Sequence, residues 1–193
     1  ADGSLLSARV FLPMAKKCGL SQTIDLLVLE QVCRILSYDK SEHDSCSLNL
    51  SIESLLTRNF NSQLFAVLQA HQALASRLII ELSEYYLVNH MQELKPVLHS
   101  LHQLGIKLLV DKVGQYVESA HYLKSCPIDF IKLHRSIVLN IDHKPENQIF
   151  VQSLHTICSA NQVEVYALGV ESREEWQTLL RLGVAGGQGH YFT

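Results

Sequence analysis

Along this chain, short apolar runs alternate with longer stretches in which apolar residues recur every three to four positions. The second pattern predicts helices and the first predicts strands. From Ser21, a candidate cap, the apolar positions Ile24, Leu27, Val28, Val32, Ile35 and Leu36 predict an amphipathic helix. A helical stretch covers 55–74, with a break expected near Asn59 and Asn61. Another covers 90–104 and ends at Gly105, which suits a left-handed cap. Residues 146–160 are helical in pattern. Ser172-Arg173-Glu174-Glu175 has the spacing of a capping box, opening a helix with Trp176, Leu179 and Leu180 on one face and Gly183 at its end. Six apolar runs lie between these stretches: 47–50, 78–82, 106–111, 128–133 after the turn residues Cys126-Pro127, 163–168, and the glycine-rich 184–192.

Strands that alternate with helices predict β-α units and a mainly parallel sheet. A doubly wound sheet and a barrel both meet that description, and the polar residues decide between them. Asn49, Glu81, Asp111 and Lys132 each stand near the C-terminal end of an apolar strand. In a TIM-like barrel such positions converge on the mouth, where catalytic residues sit. The expected fold is therefore α/β, a modified TIM (β/α) barrel. Such a barrel usually has eight strands, so six predict that the first two are absent from this chain. No linker, charge block or low-complexity segment divides residues 1–193. One domain is expected, incomplete at its N-terminus and just short of its C-terminus.

The 193 residues are 47% hydrophobic and carry a net charge of −3, which suits a packed globular domain and argues against disorder. The longest apolar stretch, 26–36, is broken by Glu30, Gln31 and Arg34, so no membrane span is expected. No basic-then-apolar opening signals secretion. The lysines and arginines are scattered, which predicts weak or no direct RNA binding by this domain. Five cysteines without a C-x-x-C pair read as free thiols in a reducing compartment. His99 and His102 share a helix face without an apparent third ligand, and read as a solvated pair. No metal site or cofactor is expected. Neither a P-loop nor a G-x-S-x-G elbow is present.

Six blocks in order carry a family resemblance. They are Ser47-Leu48-Asn49-Leu50-Ser51, Glu81-Leu82-Ser83-Glu84, Leu104-Gly105 with Val110-Asp111-Lys112-Val113-Gly114, Pro127 through His134, Ala167-Leu168-Gly169-Val170-Glu171, and Gly187-Gln188-Gly189-His190-Tyr191-Phe192. The chain resembles an EAL domain, a family whose active members hydrolyse cyclic di-GMP with two metal ions on a modified TIM barrel. The resemblance places Asn49, Glu81 and Asp111 at metal-ligand positions and Lys132 near the attacking water. Gln188, also at a family position, can flank a ligand, and Glu84 and Glu171 read as loop-fixing or solvated residues. Three positions depart from the family pattern: Lys112 stands for the second Asp of D-D, Leu168 for the Glu of A-E-G-V-E, and His134 for the Asp of K-I-D.

Two hard cations need a dense carboxylate cluster. An ammonium at Lys112 opposes a dication, and Leu168 offers no oxygen. No residue is therefore expected to act catalytically, and the family-position residues are read as remnants. Asn49 can serve backbone alone. Glu81, Asp111, Lys112 and Lys132 can neutralise one another as an ionic cluster, with Lys112, alone or together with Lys132, as the internal counterion where metals would sit. Gly186, Gly187 and Gly189 can serve tight closure.

Gly3-Ser4-Leu5-Leu6-Ser7-Ala8-Arg9, Glu146-Asn147-Gln148 with Val151-Gln152-Ser153-Leu154, and Ser172 through Leu179 resemble a degenerate branch of the family. That branch is anchored in the inner membrane, with the domain in the cytoplasm, and promotes decay of small regulatory RNAs of the carbon-storage system. The resemblance implies action through a protein partner, with the EIIA component of the glucose phosphotransferase system as the candidate. The RNA-decay machinery is then engaged indirectly, and a homodimer is allowed. A cyclic-di-GMP receptor without activity is the alternative reading, and a residual phosphodiesterase a weaker one.

Overall fold

A computed structural model describes residues 7–39, 44–116 and 120–193. Residues 3–6 of the opening stretch lie outside the described residues. In chain order the helices are α1 (Ala8–Lys17), α2 (Ser21–Tyr38), α3 (Ile52–Leu55), α4 (Arg58–Ala70), α5 (Glu84–Asn89), α6 (Met91–Gln103), α7 (Tyr122–Ser125), α8 (Arg135–Val138), α9 (Pro145–Ala160) and α10 (Arg173–Arg181). The strands are β1 (Cys46–Asn49), β2 (Leu78–Ser83), β3 (Lys107–Val113), β4 (Phe130–Leu133), β5 (Glu164–Leu168) and β6 (Gly186–Gln188). All six pair in parallel, in sequence order β1-β2-β3-β4-β5-β6, as a half-barrel.

Strand parity explains the two faces of this sheet. Leu48, Ile80, Leu82, Leu108, Val110, Ile131, Leu133, Val165 and Ala167 are buried under the helices. Their neighbours in sequence point to the concave side, as period-two alternation requires. The concave residues are polar near the C-terminal strand ends, and this sets the candidate site. Deeper in the hollow, Lys107 sits 5.2 Å over the Phe130 ring, which meets Tyr166 edge-on at 5.8 Å. A side chain at Gly186 would collide with the Tyr166 ring at 2.6 Å, so β6 needs glycine there to lie against β5.

Three local expectations are corrected. Ser21 is not the cap of α2: the chain leaves α1 through Gly19 at φ +69°, the Leu20 amide bonds to Ala15 O, and Leu20 takes the capping position. The break expected at Asn59 and Asn61 falls instead at 56–57, because the Asn61 amide donates to Leu55 O at 2.8 Å and ties α4 to the end of α3. The last strand stops at Gln188, since His190–Phe192 curls into a 3-10 turn that sets Phe192 edge-on to Trp176 at 5.2 Å. The capping box at Ser172 forms in full, and Gly105 closes α6 at φ +90°.

Cys33, Cys126 and Cys158 are buried, and burial pushes the Cys158 thiol up to about 12. Cys18 is exposed and Cys46 half-buried. Thiolate is the reactive form and must be accessible. A disulfide reagent in excess should therefore label Cys18 at once and Cys46 more slowly. The three buried thiols should react only in denaturant, as read by absorbance of the released thiol.

Candidate functional site at the barrel mouth

β1 and β2 pair with Asn49 opposite Glu81, so their side chains stand side by side on the concave face. Glu81 is buried, and its Oε1 accepts a hydrogen bond from Lys132 Nζ at 3.0 Å. The pair is well shielded, with side-chain exposures of 16% for Lys132 and 7% for Glu81. Asp111 stands one layer higher, opposite Ser83 of β2. Its Oδ1 is buried and meets no hydrogen-bond partner among the described residues.

Lys112 does not join this cluster. Between Val110 and Val113 the register with β4 shifts by one residue, a bulge that leaves two residues of β3 facing one of β4. Lys112 occupies the bulge at φ +64°, a conformation that costs a residue with a Cβ. Its side chain is exposed, and among the described residues its ammonium has no ion pair or hydrogen bond. The cation on Glu81 is Lys132. The Glu81–Lys132 part of the expected ionic cluster forms, whereas Lys112 is not its counterion.

His134 caps α8: its Nδ1 accepts from the Ser136 amide at 3.2 Å and lies 2.9 Å from Ser136 Oγ. Burial pushes the imidazole below its ordinary 6.5; the Asp111 carboxylate opposes this, and Lys112 and Arg135 reinforce it. The folded state therefore favours neutral His134. The stability this contributes is present above pH 6.5 and is lost as pH falls through the lowered value. In an NMR titration the His134 ring should show a midpoint below 6.5. Lys112→Gln should raise that midpoint and Asp111→Asn should lower it.

The two loop-type glutamates separate sharply. Glu84 is buried, accepting from the Gly114 amide at 3.1 Å and the Tyr122 hydroxyl at 2.9 Å. It pins the loop after β3 to the start of α5. Burial first, then the Glu84 charge, pushes the Tyr122 phenol above its ordinary 10. Glu171 is an outer residue, paired with Arg135 at 2.7 Å, both partly exposed. Gln188 lies opposite Leu168 on β5 and uses its carbonyl to receive the Gly169 and Val170 amides at 2.6 and 3.1 Å. Sequence reasoning missed Tyr122 and Arg135. Nothing in the local pattern marks Tyr122, whereas the cation following His134 could have marked Arg135.

The mouth thus gathers Asn49, Glu81, Asp111, Lys132 and His134, and leaves out Lys112, Glu84 and Glu171. Among the described residues no three His, Cys, Asp or Glu side chains converge as a metal cluster would need. With a lysine at 112, exposed, and an aliphatic side chain at Leu168, the remaining donors Asn49, Glu81 and Asp111 fall short of the dense oxygen set that a pair of divalent cations needs.

The sequence model described as the EAL domain matches residues 1–193. The RNase E specificity factor CsrD of Escherichia coli K12 is 36% identical over 188 residues, 97% of this chain and 29% of CsrD. Cyclic di-GMP phosphodiesterase PdeF of the same organism is 27% identical, over 98% of this chain and 26% of PdeF. The chain spans less than a third of the length of these relatives. Among solved structures, the PaMucR phosphodiesterase in complex with cyclic di-GMP superposes at TM-score 0.87 with 25% identity, over 96% of this chain and 82% of that one. The FimX EAL domain from Pseudomonas aeruginosa superposes at TM-score 0.87 with 24% identity, over 98% of this chain and 76% of that one. Among the described residues no helix is long and apolar enough to cross a membrane.

Proposed function

This chain belongs to the EAL domain family, and from that premise we propose that it is a catalytically inactive member of the CsrD kind. Its role on this reading is to promote turnover of small regulatory RNAs of the carbon-storage system through protein contact. The observation that carries the reading is the loss of oxygen donors at the mouth: Leu168 ends β5 where a carboxylate would be needed, and Lys112, in place of the second carboxylate of the D-D pair, lies exposed in the β3 bulge. Hydrolysis with two metals relies on oxygen ligands that hold and balance both cations. The likeness to an RNase E specificity factor supports the direction toward RNA decay. The partner is a protein, with the EIIA component of the glucose phosphotransferase system as the candidate, and the RNA-decay machinery is reached indirectly. The parent protein is anchored in the inner membrane, with this domain on its cytoplasmic side.

The test is turnover of labelled cyclic di-GMP by the purified chain with magnesium or manganese. No turnover is expected. Hydrolysis that scales with protein and stops with chelator overturns the reading. Calorimetry against EIIA checks the partner, with saturable binding expected.

A second reading, a receptor that holds cyclic di-GMP without cleaving it, is favoured by the likeness to the PaMucR complex. Equilibrium binding of the dinucleotide with and without magnesium separates the two, since the first reading expects none.

A further inference from the structure

Helices α2 and α4 lie side by side on the outside of the half-barrel and run the same way. Gln22 Nε2 donates to Thr57 Oγ1 at 3.1 Å and joins their N-terminal ends. Between them runs a groove. A cleft of about 350 Å³ is bounded by Gln22, Leu26 and Leu27 of α2 and by Asn59 and Gln63 of α4. A second, of about 640 Å³, continues past Arg34 and Tyr38 to Ala66, Val67, Ala70 and His71. Glu30 lines both, so the two form one groove, about 24 Å long at 1.5 Å per residue along α2. Its α2 wall carries open apolar groups: Leu27 is 53% exposed and Tyr38 82%. Its α4 side is low, because the exposed residues there include Ala66 and Ala70. Helix α6, in the same outer layer, instead exposes Gln92, Glu93, Lys95, His99 and His102, so the fold does not itself require an apolar outer face.

We propose that this groove seats one amphipathic helix of a protein partner, antiparallel to α2 and α4. Its length takes a helix of about four turns. The alanines on α4 let a helix axis approach closely, and large apolar side chains at i, i+3 or i+4, and i+7 fill the space beside Leu26, Leu27 and Val67. The direction follows from charge. The C-terminal ends of α2 and α4 lie together at the Tyr38–His71 end, and their partial negative charge favours the N-terminus of a seated helix. Arg34 stands near that end and Glu30 one turn further back, and among the described residues neither makes an ion pair. The seated helix therefore carries an acidic residue in its first turn and a basic one in its second. That order also suits its own dipole.

The proposal rests on the reading of this chain as one that acts through protein contact, and the test separates the two. The probe is a fluorescein-labelled amphipathic peptide of about 18 residues, leucine-faced, with Glu in its first turn and Lys in its second. Anisotropy against the 193-residue chain should show saturable binding at a Kd of about 10–100 µM. Ala66→Arg, which blocks the floor of the groove, should weaken it about tenfold or more. Glu30→Arg/Arg34→Glu should weaken it about five- to tenfold and favour a Lys-first peptide by a similar factor. These positions are exposed and take good helix formers, so circular dichroism should report unchanged folding. Calorimetry against EIIA should show the same loss with Ala66→Arg. EIIA binding undiminished by Ala66→Arg overturns the groove as the partner's seat and leaves the protein-contact reading standing. If EIIA does not bind the wild type, that candidate partner falls, and the peptide result alone decides the groove. No saturable peptide binding overturns the proposal, as does binding indifferent to Ala66→Arg or to the charge reversal. So does a chain that dimerises in sedimentation velocity and loses this with Ala66→Arg, because a second copy then fills the groove.

Discussion

Lys132→Met is expected to cost about 3 kcal/mol of stability at neutral pH, while Lys112→Gly should gain about 0.5–1 kcal/mol. The two lysines occupy opposite situations. Lys132 reaches Glu81 at 3.0 Å in a shielded pocket, so removing its ammonium leaves a buried carboxylate without its countercharge. The cost of breaking such a pair comes from the charge left behind more than from the attraction lost. Accordingly Glu81→Leu/Lys132→Met, which removes both charges, should recover most of the loss. Lys112 is exposed, unpaired among the described residues, and held at φ +64°. Glycine adopts that conformation without the Cβ clash, and nothing is stranded by losing the ammonium. Urea titrations of the four proteins at pH 7 decide this. If Lys112→Gly is the destabilised variant and Lys132→Met is not, the charge balance of the mouth rests on Lys112 after all.

The contrast between the lysines also marks how far the sequence could be read. Alternation of apolar and polar residues located all six strands, because burial of one face under helices forces that pattern. It placed Asn49, Glu81, Asp111 and Lys132 on one concave face, since each sits at the end of a strand with the same parity. It also separated the two lysines: Lys132 has the concave parity of Asp111, whereas Lys112, next to Asp111 in the strand, has the opposite one. Lys112 entered the expected cluster through its place in the family motif, and the one-residue bulge in β3 holds it exposed. The end of the last strand was hidden. The 3-10 turn over His190–Phe192 lets Phe192 meet Trp176 on α10, a contact between residues sixteen apart in sequence that no local pattern announces. Helix α1 lies outside the predicted elements; it carries Pro13 in its interior, as α6 carries Pro96. The deeper role of Glu175 was also out of reach. Its capping box was legible from Ser172, but its hold on a distant turn was not.

That hold makes Glu175 the other position of large expected effect. Its carboxylate is 2% exposed and serves three backbone amides. One oxygen accepts from Asn140 at 2.7 Å, and the other from Glu171 at 2.7 Å and Ser172 at 3.2 Å. Asn140 is itself left-handed at φ +56°, so the turn before residues 141–143 depends on this bond to stay ordered. One side chain thereby ties the loop after β5, the start of α10 and a turn more than thirty residues earlier in the chain. Glu175→Leu removes the acceptor and leaves three amides to find other partners. With about 1–3 kcal/mol for each donor left buried and partial relief by water, a loss of about 3–5 kcal/mol is expected. Glu175→Gln should lose somewhat less, because its carbonyl still serves one side while its NH2 faces a donor. Arg135→Ala is the control. It removes the exposed partner of Glu171 from the same loop and should change stability by no more than about 0.5 kcal/mol. Urea unfolding midpoints give the ranking. A Glu175→Leu protein as stable as Arg135→Ala would mean that the amides are served by water, and that the carboxylate is not what holds the three segments together.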